Sequence, residues 1–153
     1  MPSSKLAVLN AISGIWTYRS WVNDPELVVV NGDDAETSKR LGALLFAEAE
    51  FVLEDGEPGV ITGRLNMGEI GGLTLFGSVA YGNPFSVRFQ GVGMDAGSVS
   101  EGWIYDYIGW LVPLWPNGVE QRPAIVGSVV RTVPHGQSAA GKVASFIAIK
   151  RDL

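Results

Sequence analysis

Asp106 stands between Tyr105 and Tyr107, in a stretch that is otherwise apolar for ten residues. An unpaired carboxylate is costly to bury, so it must find a partner or hold its proton to higher pH. Two roles follow for it. It is either an acid, base or ligand anchor, or a structural carboxylate paired with an arginine such as Arg131, Arg88 or Arg64. Side chains alternate along a strand, so Asp106 and Tyr107 point to opposite faces and cannot serve one pocket without a bulge. Arg131 ends a face made of Ile125, Gly127 and Val129. A basic residue there suits a carboxylate ligand, or it buries its stem and reaches the rim with its charge. Asp106, Tyr107 and Arg131, with Tyr105 beside them, are the candidates for catalysis. Trp103, Tyr105, Tyr107 and Arg131 are the candidates for holding a ligand.

Other ionisable residues offer less. Glu48, Glu50 and Glu54 resemble paired-carboxylate machinery, but their alternation with Ala47, Ala49, Phe51 and Leu53 reads as a solvated strand face. His135 is the only histidine and lies in the loop VPHGQS, where it is either solvated or a general acid or base at a barrel mouth. One histidine and no cysteine do not make a conventional zinc site, and no metal or cofactor is expected. No G-x-S-x-G accompanies the histidine. The run GVGMDAG precedes no helix and is not a dinucleotide fingerprint.

These residues must be carried by strands. In EGWIYDYIGWLVPLWPNGVEQRP, residues 101–123, one period-two face is Trp103, Tyr105, Tyr107, Gly109 and Leu111. The other is Ile104, Asp106, Ile108, Trp110 and Val112. A strand with one wet face alternates apolar with polar residues, and this one is apolar on both. The reading is that Trp103, Tyr105 and Tyr107 face a core or ligand, while Ile108, Trp110 and Val112 face another subunit, with Asp106 on that outer side. Trp110 and Trp115 left exposed would make an apolar patch that monomers rarely carry. A homo-oligomer built on this strand and its neighbour AIVGSVV is therefore expected.

The remaining elements follow the same pattern. GIWTYRSWV, LLFAEAEFVLED, GVITGRLNM, LTLFGSVAY, FSVRFQGVG, the segment above, AIVGSVVRTV and KVASFIAIKR read as strands separated by turns rich in Gly, Pro, Asn and Asp. Ser3 or Ser4 begins a short helix through Ile12, ELVVV reads as a short edge strand, and DDAETSKRLG is loop with a helical turn. Every connection after residue 43 is short enough for a hairpin. The expected fold is all-β, an eight-stranded antiparallel up-and-down barrel with a short N-terminal helix, in one domain over residues 1–153. Gly63, Gly77, Gly91, Gly109 and Gly127 each fall inside a different strand. They either let strands coil in a small barrel or make room for a ligand.

The chain has 153 residues, 46% hydrophobic and 18% charged, with net charge −5 and no cysteine. That composition suits one globular domain without disulfides or thiol chemistry. The acidic balance without a basic stripe argues against nucleic acid and anionic membranes. The start is a poor signal peptide and no apolar run reaches about 18 residues, so a cytoplasmic protein is expected.

Gly14-Ile15-Trp16 opening the first strand, an up-and-down meander, and Lys150-Arg151 ending the last one resemble the calycin superfamily, which includes lipocalins and avidins. The layout is closer to the avidins than to the lipocalins, which carry a long helix after the barrel. The resemblance implies that Trp16 plugs one barrel end and that Arg151 covers it. The polar residues by which avidins hold biotin have no match here. The functional expectation is a barrel binding a largely apolar small molecule in its interior. The alternatives are a barrel enzyme of cyclase, isomerase or lyase type, and an assembly protein whose barrel is filled with side chains.

Overall fold

The computed structural model describes residues 12–23, 34–54, 57–80, 82 and 85–151. Eight strands run in order: β1 Gly14–Trp21, β2 Leu45–Glu54, β3 Val60–Asn66, β4 Gly72–Ala80, β5 Ser86–Val92, β6 Ile104–Leu111, β7 Ala124–Arg131 and β8 Val143–Lys150. Each pairs antiparallel with the next, and β8 pairs with β1, so the sheet is a closed barrel. Alternation drives this arrangement. Phe51, Leu53, Ile61, Leu65, Leu73, Leu75, Val87 and Phe89 are buried inside, while Glu54, Arg64, Thr74, Phe76, Arg88 and Gln90 between them point outward. Closure satisfies the backbone of every strand and leaves no open edge.

Two departures from simple alternation matter. The register passes from Ser20↔Ala47 to Trp21↔Leu45, so Phe46 is an extra residue in β2. This bulge turns the phase of the strand and sends Phe46 to the inner side, not to the outer face it would share with Glu48 and Glu50. The second departure is α1, Asp34–Leu44. The stretch expected to be loop with one turn is an eleven-residue helix. Ala35, Glu36, Lys39, Arg40 and Leu41 are good helix formers, and Glu36 pairs with Arg40 one turn on at 3.1 Å. Its side chains are largely exposed, so no apolar stripe marked it. Apart from Ile12, the expected helix over residues 3–12 lies outside the described residues, as does the strand ELVVV.

One barrel end is plugged. Trp16 is fully buried, and its indole N–H donates to the carbonyl of Ile12 at 2.7 Å. Arg151, expected as its cover, donates its backbone N–H to Ile15 and places its guanidinium on Glu50 at the outer face. The strand glycines permit close backbone approach. A Cβ on Gly63, Gly77 or Gly127 would stand 2.1, 2.1 or 1.9 Å from a carbonyl oxygen of the adjacent strand. They serve strand coiling, and none of them lines the pocket described next.

Candidate ligand site

The middle of the barrel is solid with rings. Tyr18 and Phe51 lie 4.6 Å apart, Phe89 stacks on Tyr107 at 4.7 Å, and Phe146 sits 5.6 Å from Tyr18. Toward the end opposite Trp16, a pocket of about 170 Å³ opens among the described residues. Its floor is Tyr18, Leu65, Leu73, Tyr107 and Val129, and its walls are Phe46, Met67, Trp103 and Tyr105. Ile70, Arg131 and His135 complete the rim.

Each wall has a local cause. β6 puts Tyr105 and Tyr107 on the inner face, and the register sets Arg131 of β7 directly opposite Tyr105. Trp103 is held just before β6. Its carbonyl accepts from Gly93 at 2.8 Å, and its N–H donates to Ser100 at 3.0 Å. Ser100 in turn donates to Ile70, tying the mouth loop to the short 3₁₀ turn Gly68–Ile70. The β7–β8 loop folds back through reciprocal backbone bonds between His135 and Ser138 at 3.0 and 2.9 Å. The imidazole then stacks on Trp103, with centroids 4.0 Å apart and planes at 15°.

The polar groups converge on the Tyr105 hydroxyl. Arg131 Nε donates to it at 3.2 Å, and His135 Nε2 lies 2.6 Å away. Because Arg131 takes an oxygen lone pair, the phenolic proton is free to point at the imidazole. With Nε2 unprotonated His135 is the acceptor, and in the other tautomer Nε2–H donates to the remaining lone pair of the hydroxyl. Burial, followed by the positive charge of Arg131, holds the pKa of His135 below the ordinary histidine value. Arg131 also donates through Nη1 to the Ala139 carbonyl at 3.1 Å and lies 5.1 Å over the Phe46 ring. Below them, burial pushes the phenols of Tyr18 and Tyr107 far above the usual tyrosine range. Both stay neutral, so Tyr107 can donate a hydrogen bond but cannot be a base at ordinary pH.

Trp103, Tyr105, Tyr107 and Arg131, read from the sequence as ligand-holding residues, all come together in this pocket. Asp106 does not. It points outward, as parity required, and accepts from Gln90 Nε2 at 3.0 Å and from the Thr132 hydroxyl. Its partners are therefore neutral groups, Gln90 on β5 and Thr132 just past the end of β7, not the expected arginine, and Arg64 pairs instead with Asp95. Glu48 and Glu50 form outer-face ion pairs with Arg19 and Arg151. His135 belongs to the mouth and is no freely solvated loop residue. Phe46 went unread because the bulge reverses its side. Among the described residues no three His, Cys, Asp or Glu side chains gather as a metal site. No helix among them is long and apolar enough to cross a membrane. The arrangement can enclose a flat apolar ring, present it with a cation, and exchange a proton between a phenol and an imidazole. The chain matches no protein-family model and no curated protein.

Proposed function

We propose that this is a calycin-like binding barrel that holds a small, largely apolar, ring-sized molecule in its aromatic mouth. The observation that carries the reading is the pocket itself, an opening walled by Phe46, Trp103 and Tyr105 above an interior otherwise filled by rings. Its roughly 170 Å³ is close to the apolar cavity of about 150 Å³ that suffices for benzene in an engineered protein. Ligands much larger than one ring would have to displace the Tyr18–Tyr107 floor. Toluene or benzyl alcohol should raise the melting temperature, since a ligand bound only to the folded state stabilises it. Ala47→Phe, which fills the pocket, should abolish the rise. No shift in the unaltered protein with any ring-sized probe overturns the reading.

The outer face supports a homo-oligomer as the partner. Trp110, Val126 and Ile147 form one row across β6, β7 and β8, with Trp110 43% exposed. Arg19, Glu48, Arg64 and Arg88 occupy outer strand positions where a membrane barrel would present an apolar band. With the acidic charge, they support a protein in water that binds neither nucleic acid nor membrane, and a cytoplasmic location is proposed with it.

A second reading, the cyclase, isomerase or lyase type of enzyme, is favoured by the 2.6 Å contact between Tyr105 and His135. Such a pair can hand a proton to or from a bound carbonyl compound. Cyclohexanone in D2O tests it. Its α-protons should exchange faster with the unaltered protein than with Tyr105→Phe or His135→Asn, and equal rates remove the enzyme reading.

A further inference from the structure

Arg131 is a cation set into a largely apolar pocket and is in no ion pair among the described residues. Its five N–H donors serve two neutral acceptors there, the Tyr105 hydroxyl and the Ala139 carbonyl. The ion pairs among those residues join Arg19, Arg40, Arg64 and Arg151 to carboxylates, and none involves Arg131. Asp106, one position from Tyr105 in sequence, is on the far side of the sheet and engaged by Gln90 and Thr132. Glu48 reaches the same pocket, but its side chain is 59% exposed and paired with Arg19. The guanidinium is fixed in place by two hydrogen bonds and by the Phe46 ring beneath it. A half-buried charge held rigid beside aromatic walls is favourable to an anion and unfavourable when left uncompensated. Burial first, and this same charge second, lower the basicity of His135 beside it.

We propose that the ligand is a small monocyclic acid, with its ring between Phe46 and Trp103 and its carboxylate on the free edge of Arg131. This rests on the reading of the mouth as a binding pocket, and it adds the chemical class. A planar carboxylate matches the planar fork of arginine, and a neutral ring of the same size would forgo that pairing. Tyr105 becomes a positioning residue, since its hydroxyl holds Nε of Arg131.

Isothermal calorimetry with benzoate, benzyl alcohol and benzylamine tests the proposal. The unaltered protein should bind benzoate at least tenfold more tightly than benzyl alcohol, and benzylamine more weakly than either. In Arg131→Gln the preference for benzoate over benzyl alcohol should vanish. Should that variant fail to fold, the order of the three probes on the unaltered protein decides alone, together with a loss of benzoate affinity as salt is raised. Equal binding of benzoate and benzyl alcohol overturns the acid assignment and leaves the pocket reading standing. Preference for benzoate that survives Arg131→Gln overturns the pairing of the carboxylate with Arg131 and likewise leaves the pocket reading standing. Failure of all three probes to bind overturns both.

Discussion

Glycine to alanine should have opposite effects at Gly127 and at Gly42. Gly127 faces Gly109 across β6 and β7, and a Cβ on it would stand 1.9 Å from the Ile108 carbonyl oxygen and 2.5 Å from Gly109 Cα. Real Cβ atoms essentially never come within 3.0 Å of such atoms, so the two strands must part locally by about 1.1 Å. Ladder bonds near 2.9 Å would then stretch well past the roughly 3.2 Å limit of good N–H···O geometry. Losing two such bonds costs about 2 kcal/mol, at ~1 kcal/mol each. Strain in the packed neighbours adds about 1–3 kcal/mol. The sum, about 3–5 kcal/mol, is a large part of the ~5–15 kcal/mol that holds a typical domain folded. Gly42 lies in α1, and a Cβ added to it would meet nothing within 4 Å. Alanine there should stabilise by up to ~1 kcal/mol through helix propensity. Urea titrations of both variants measure the difference, provided the slopes match that of the unaltered protein. If Gly127→Ala falls within ~1 kcal/mol of the unaltered protein, at or below the smallest cost of overpacking, the close-approach account of these glycines is wrong.

Alkaline pH should unfold the barrel through Tyr18 and Tyr107. Both folded-state pKa values lie above the ordinary tyrosine value of 10.0, so the stability these phenols contribute is complete below that pH and is lost as pH rises past it. The loss is about 1.4 kcal/mol per pH unit for each phenol. Tyrosinate absorbance from these two should appear only together with loss of the circular dichroism of the fold, and smooth titration ahead of unfolding would contradict their burial. Trp110→Lys should convert an assembly into monomers in sedimentation velocity, and an unaltered protein already monomeric at micromolar concentration would refute the oligomer. His135→Ala should cost roughly 1–2 kcal/mol, from one stacked pair and one hydrogen bond at a partly exposed site. It should also shift the Trp103 emission to the red, and an unchanged spectrum would count against the stack.

The barrel was legible because its strands alternate and its turns carry Gly, Pro, Asn and Asp. Parity divided β6 into two faces without saying which is inner, and the structure buries Tyr105 and Tyr107 while leaving Trp110 exposed. Phe46 was not legible, because a single bulged residue reverses every parity argument before it in β2. His135 was hidden for another reason. A loop position says nothing about what the loop folds onto, and the stack on Trp103 depends on the His135–Ser138 turn. The residue types carried one usable signal: the only histidine lies four residues beyond the basic end of β7, in a loop that must return over the same barrel mouth. Asp106 shows the reverse error. Its sequence surroundings looked hostile to a charge, yet cross-strand neighbours Gln90 and Thr132 satisfy it on the outer face.

The division of the interior makes the mouth decisive. The rings of Tyr18, Phe51, Phe89, Tyr107 and Phe146 fill the middle of the barrel, and Trp16 closes the far end, so on the proposed reading selectivity for a ligand held in the interior comes from the loops and strand ends around Arg131. At that depth an aliphatic residue would be the better choice for stability alone, because a half-buried cation loses hydration that two neutral acceptors restore only in part. The packing of Phe46 under the guanidinium offsets some of that loss, at about 0.5–2 kcal/mol for a cation over a ring. Arg131 is thus the residue that separates the binding reading from a barrel merely filled with side chains. In a filled barrel Arg131→Leu should raise the melting temperature, whereas in a binding barrel it should raise the melting temperature of the empty protein and remove the further rise that benzoate gives.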